Sequence, residues 1–121
     1  MCVRVFLADD AEVVRRAIRK LLSEREDIKV VGEAATFPEA LQKMMELKPD
    51  VVVFDLHMFY DDFSTPLPSG HKLLAISFAN DDEAKELAES LGAVELLDKM
   101  ELYETLIPAI LELAPFENCL N

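Results

Sequence analysis

Four apolar runs in this sequence end at or near residues able to do chemistry. VRVFLA (Val3–Ala8) runs into the pair Asp9–Asp10, VVVF into Asp55, LLAI into Ser77, and the run Val94–Leu97 is followed closely by Lys99. Three carboxylates, a hydroxyl and an ammonium form a usable set if the fold gathers them. Clustered carboxylates repel unless a proton or a cation sits among them. Oxygen ligands of this kind suit Mg²⁺, which is satisfied by one or two carboxylates with water and a phosphate oxygen. A carboxylate can itself be a nucleophile, forming an acyl phosphate. Lys99 and the Ser77 hydroxyl would then hold the remaining phosphoryl oxygens, supplying the positioning and charge neutralisation that phosphoryl transfer requires.

For these residues to meet, their strands must lie side by side and run the same way. The chain alternates short apolar runs with amphipathic ones, and the spacing predicts that arrangement. Strands are expected at Val3–Ala8, Ile28–Glu33, Val51–Asp55, Leu73–Ser77 and Val94–Leu97. Between them, Glu12–Glu24 carries Val13, Val14, Ala17, Ile18, Leu21 and Leu22 on one helical face, with Arg15, Arg16, Arg19 and Lys20 largely opposite. Thr36 and Pro38 start a second helix through Ala40, Leu41, Met44 and Met45, which Lys48–Pro49 closes. Asn80 or Asp81 caps a helix to Leu91, with Gly92 as its stop, and Glu101–Ala114 is a last helix with Pro108 as an internal irregularity. Phe59–Lys72 shows no usable period and reads as a loop with at most one helical turn. Strands alternating with helices imply a parallel sheet with right-handed crossovers. Ligands in such a sheet bind beyond the carboxyl ends of the strands, where Asp9, Asp10, Asp55, Ser77 and Lys99 fall.

Taken in order, VRVFLADD, VVVFDLHM, LLAIS and GAVELLDK resemble the receiver domain of two-component response regulators, most of all the subgroup joined to helix-turn-helix output domains. That resemblance implies a flavodoxin-like, doubly wound α/β fold with five parallel strands. It implies that Asp55 is the phosphoacceptor, served by a sensor histidine kinase or a phosphotransfer protein. Asp10, Asp55 and the backbone carbonyl of His57 would bind Mg²⁺, Asp9 would act through metal-bound water, and Ser77 and Lys99 would contact the phosphoryl group. Output would pass to a downstream protein or through self-dimerisation, and the protein would be no multiple-turnover enzyme. Four features depart from the family pattern. The segment between the third and fourth strands is about two helical turns short of a full third helix, which leaves Phe59, Tyr60 and Phe63, a partner or a dimer contact to cover that sheet face. Phe78 follows Ser77 where the family favours a small residue, so its ring could narrow access to the phosphoryl group. Leu96 replaces the usual aromatic switch residue, and Met100 replaces the proline after the lysine, where the family has a cis bond. These departures keep open a rival reading, a pseudo-receiver that works as a phosphorylation-independent interaction module.

Plainer readings exist for each residue. Asp9–Asp10 could cap the first helix, where carboxylates suit the dipole, and Asp55, Ser77 and Lys99 could be ordinary turn or loop residues. Asp55-Leu56-His57 echoes the DxHxxG motif of cobalamin-binding domains, but Tyr60 stands in place of its glycine. Asp9–Asp10 would repel the phosphate of a flavin, and a phosphatase of the haloacid dehalogenase type would show a DxD pair and a cap insertion. Met44–Met45 reads as core rather than a soft-metal site, and His71 as a surface histidine.

The whole composition agrees. The 121 residues fit one domain, 1–121, with 115–121 as a C-terminal tail, and 51% apolar against 30% charged residues is a globular mixture. Twelve basic residues against 24 acidic ones give a formal charge of −12, which disfavours direct nucleic-acid binding and an anionic membrane surface. Cys2 and Cys119 make neither a disulfide framework nor a metal-ligand spacing, so a reducing compartment is expected. No run approaches the roughly 18 apolar residues of a membrane span, and the opening segment is too short for a signal peptide. The expected location is the cytoplasm.

Overall fold

A computed structural model describes residues 2–59 and 70–113. Five strands, β1 (Val3–Ala8), β2 (Ile28–Ala34), β3 (Val51–Asp55), β4 (Lys72–Ser77) and β5 (Ala93–Asp98), form one sheet. All neighbours pair parallel in the order β2-β1-β3-β4-β5, the flavodoxin-like order with its switch point between β1 and β3. The connecting helices are α1 (Glu12–Leu22), α2 (Phe37–Leu47), α3 (Asp82–Ser90) and α4 (Leu102–Glu112). Expected and observed elements agree to within a residue or two at most ends. The main shifts are that α1 stops at Leu22 and that the last helix is preceded by a tight 3-10 turn over Lys99–Glu101. Another such turn, Leu56–Phe59, follows β3. Most of the expected loop, residues 60–69 with Tyr60 and Phe63, lies outside the described residues, as do 114–121 and Cys119.

Alternation along the strands builds two cores. Val3, Val5 and Leu7 of β1, with Val51 and Val53 of β3 and Leu74 and Ile76 of β4, pack with Ile18 and Leu22 of α1 and Leu106 and Ile110 of α4. The intervening residues Phe6, Ala8, Val52, Phe54, Leu73 and Ala75 pack on the other face with Ala40 and Met44 of α2 and Ala84 and Ala88 of α3. Every residue of β3 is buried, as a strand covered on both faces requires. Burying each Val, Leu or Phe side chain contributes about 1.5–3 kcal/mol, so the central strands are the rigid part of the scaffold.

The helix ends follow local chemistry. The Thr36 hydroxyl accepts the Glu39 N–H at 3.3 Å while Glu39 Oε1 accepts the Ala35 N–H at 3.0 Å, a variant of the capping box. Backbone bonding to Ala35, and then the Lys43 ammonium, hold the Glu39 carboxyl below the usual range. Lys48 ends α2 in the left-handed region at φ 48°, and Gly92 turns the chain after α3 at φ 86°, where glycine carries no Cβ penalty.

Five side chains are placed differently from expectation. Val13 and Ala17 of α1 are exposed, whereas Arg15 is turned inward. The six apolar positions of α1 form a stripe wider than its contact with the sheet and α4, so Ile18, Leu21 and Leu22 fill it, with Val14 partly buried beside them. Met44 is core, but its neighbour Met45 is exposed because adjacent helical residues point about 100° apart. His71 is half-buried rather than on the surface, with Nδ1 2.8 Å from the Pro49 carbonyl.

Candidate functional site

The parallel sheet delivers the chemical residues to one rim. Asp9 leaves β1 with its N–H donated to the Ala34 carbonyl at 3.1 Å, and its Oδ1 accepts the Ala11 N–H at 2.8 Å. That tight turn ends the strand and starts α1. Ala11 is the residue preceding the helix, and α1 has no side-chain cap bond, so the plain helix-cap reading of the aspartate pair fails. Asp55 closes β3, and its Oδ1 accepts the His57 N–H at 3.0 Å. Ser77 closes β4 with its Oγ accepting the Ala79 N–H at 2.9 Å. Lys99 follows β5, where Asp98 Oδ1 accepts the Met100 N–H at 2.9 Å and shapes the turn.

One carboxylate oxygen from each of Asp9, Asp10 and Asp55 lies within 4.8 Å of the others. Asp9 and Asp55 are buried and Asp10 is exposed. Three formal negative charges therefore face one positive charge. Lys99, its side chain 7% exposed, sets Nζ 2.8 Å from Asp9 Oδ2 and 3.2 Å from Asp55 Oδ1. Burial pushes the Asp55 carboxyl above the usual range. The His57 N–H pulls it back, the Asp9 charge raises it again, and Lys99 lowers it. Asp9 Oδ2 is close to the ammonium yet off the line of a hydrogen bond, so it is a buried oxygen with no hydrogen-bond partner. An unsatisfied buried carboxylate oxygen beside two further carboxylates is a donor set that fits a hard divalent cation.

A cavity of about 390 Å³ opens over this rim, lined by Asp10, Asp55, Ser77 and Lys99 with Val14 and Phe78 among their neighbours. The exposed Phe78 ring lies with its centroid 5.1 Å from Lys99 Nζ, a cation–π contact of about 0.5–1 kcal/mol at an exposed site. Asp9, Asp10, Asp55, Ser77 and Lys99 are thus all brought together. His57 joins them through its backbone, its side chain being exposed. Leu96, in the place of the family's aromatic switch residue, is partly buried against the α2–α3 core.

Sequence spacing does not identify Arg15 and Glu33 as neighbours of the site. Arg15 donates from Nη1 to the Asp9 carbonyl and from Nε to Glu33 Oε1 at 3.1 Å. Nothing local distinguishes Arg15 from Arg16, Arg19 or Lys20, and Glu33 is 18 residues away in sequence.

Known proteins agree with this geometry. The family described as the response regulator receiver domain matches residues 5–111. The protein-glutamate methylesterase/protein-glutamine glutaminase 3 of Geobacter sulfurreducens is 36% identical over 102 residues, covering 80% of this chain and 28% of that protein. The response regulator protein VraR of Staphylococcus epidermidis is 37% identical over 99 residues, covering 74% and 46%. The chain spans less than half the length of these curated relatives. The signal receiver domain of the putative response regulator NarL from Mycobacterium tuberculosis superposes with a TM-score of 0.79 at 27% identity, covering 92% of this chain and 94% of that one. Family match, sheet order and acidic rim lead to one conclusion: this chain belongs to the response regulator receiver domains, the CheY-like receivers of two-component systems.

Proposed function

We propose that this chain is a phosphoacceptor receiver that takes a phosphoryl group onto Asp55 from the phosphohistidine of a sensor histidine kinase or phosphotransfer protein. The observation that carries the reading is the inequivalence of the two Asp55 oxygens. Oδ1 is engaged by the His57 N–H and Lys99, while no described residue hydrogen-bonds Oδ2. Oδ2 attacks the phosphorus; its O–P bond forms as the N–P bond breaks, and the departing imidazole nitrogen keeps the electron pair and takes up a proton. Lys99 and the Ser77 hydroxyl hold the phosphoryl oxygens.

Asp10, Asp55 and the His57 backbone carbonyl would hold Mg²⁺, and Asp9 would act through metal-bound water. The ion supplies charge neutralisation for the phosphoryl oxygens. Exposed Val13, Met100 and Tyr103 border a second, 280 Å³ groove that shares Phe78 and Lys99 with the site, which supports a protein donor docking beside the reacting carboxylate. The reading extends to a receiver domain working in the cytoplasm, with output through a downstream protein or a self-dimer. The methylesterase named for the Geobacter relative stays with that protein. No helix among the described residues is long and apolar enough to cross a membrane.

Intact-protein mass after incubation with Mg²⁺ and a small acyl-phosphate donor tests the reading. One added phosphoryl group that disappears without Mg²⁺ and in Asp55→Ala is the expected result. No adduct, with a cognate kinase as well as the small donor, would overturn it in favour of a phosphorylation-independent interaction module.

A further inference from the structure

Arg15 sits in the first turns of α1 with its side chain only 15% exposed. Its guanidinium donates to the main-chain carbonyl of Asp9, a member of the acidic cluster. Its other bond goes to Glu33 Oε1 at 3.1 Å, and Glu33 Oε2 accepts from Arg19. Glu33 is held in turn by the Lys43 ammonium, which donates to its backbone carbonyl at 2.9 Å. On the N-terminal side, the Asp9 N–H is tied to Ala34 of β2. Both the N–H and the carbonyl of Asp9 are therefore anchored, and the anchors run through α1, β2 and α2.

A cation bonded to the main chain of the acidic cluster could act simply by its charge. Two observations argue otherwise. The hydrogen bond goes to a neutral carbonyl, and the guanidinium is also paired with the Glu33 carboxylate, which it shares with Arg19. We propose that Arg15, oriented by Glu33, is a positioning residue for the cation site: it fixes the main chain at Asp9 so that the carboxylates of Asp9 and Asp10 converge on Asp55. The inference rests on the Mg²⁺-binding reading above.

Charge and position predict opposite signs. Removing a positive charge beside a cation site strengthens cation binding by Coulomb's law, whereas loosening the partners that orient the ligands weakens it. Backbone amide shifts of the full chain, titrated with Mg²⁺ at constant ionic strength, separate the two and report the fold in the same spectrum. Arg15→Met is expected to weaken Mg²⁺ about tenfold, the usual scale for removing an outer partner of a metal ligand. Arg15→Lys, which keeps one donor, falls between that and the native protein, and Glu33→Gln weakens binding by a smaller factor. An Arg15→Met affinity equal to or tighter than that of the native chain would overturn the inference. Should Arg15→Met not fold, Arg15→Lys decides: it keeps the positive charge, so weaker binding supports the positioning role, and unchanged binding overturns it. A native chain that does not bind Mg²⁺ through Asp10 and Asp55 would overturn the metal reading and this inference together, and the native titration alone reveals that outcome.

Discussion

Asp55 is a carboxylate placed where an ionised group is costly. Burial raises its pKa, the His57 N–H lowers it, the Asp9 charge raises it and Lys99 lowers it, with a net upward shift. A carboxyl whose folded pKa lies above its unfolded one subtracts stability above the folded value. That penalty fades as pH falls through the folded pKa and is gone below the unfolded one. Asp55→Asn, which still offers Oδ1 to the His57 N–H, is therefore expected to stabilise the metal-free protein at neutral pH by an amount on the order of 1 kcal/mol. The gain should shrink on acidification. Urea denaturation without divalent cations, at neutral pH and again in the carboxylate range, checks both statements, and a destabilised variant at neutral pH would refute them. The same residue shows how far residue types carry an argument. That Asp9, Asp55 and Lys99 belong together is legible from their places at strand ends. That Lys99 bridges Asp9 and Asp55 through Asp55 Oδ1, with Oδ2 making no hydrogen bond among the described residues, is a matter of ångströms, which no spacing encodes.

The elements were the most legible part of the chain, because the signals that start and stop them are local. Thr36 with Glu39, Lys48 at positive φ, Asp81 accepting the Ala84 N–H and Gly92 all act within a few residues of themselves. Thr36→Ala is expected to cost about 1 kcal/mol, the usual cost of losing an N-cap hydroxyl, read as a lower denaturation midpoint at unchanged cooperativity. Helix phase was less legible than helix position. In α1 the apolar residues alone cannot say which edge of a wide stripe faces the sheet. The inward turn of Arg15 is decided by Asp9 and Glu33, which lie on other elements. The segment between β3 and β4, where the sequence departs from the family in length, lies largely outside the described residues.

For the molecule as a whole, a formal charge of −12 and a rim with three carboxylates against one lysine make cation binding and stability one question. Mg²⁺ at about one hundred times its dissociation constant should stabilise the fold by about 2.7 kcal/mol, seen as a rise in Tm over a monovalent salt of equal ionic strength. Asp10 is exposed and makes no hydrogen bond among the described residues, so Asp10→Asn should fold normally and lose most of that rise. An equal rise in the variant would mean that bulk screening, and not the rim, is responsible. The sequence by itself determined the parallel α/β order, the strand ends that carry Asp9, Asp10, Asp55, Ser77 and Lys99, and the chemistry those types permit, because periodicity, turn residues and charge are properties of the chain read in order. Tertiary structure alone decided the Lys99 bridge to Asp9 and Asp55, the Phe78 ring over the ammonium and the Arg15–Glu33 anchor. Each of these depends on distances between groups far apart in sequence, set by how helices of particular phase pack against a twisted sheet.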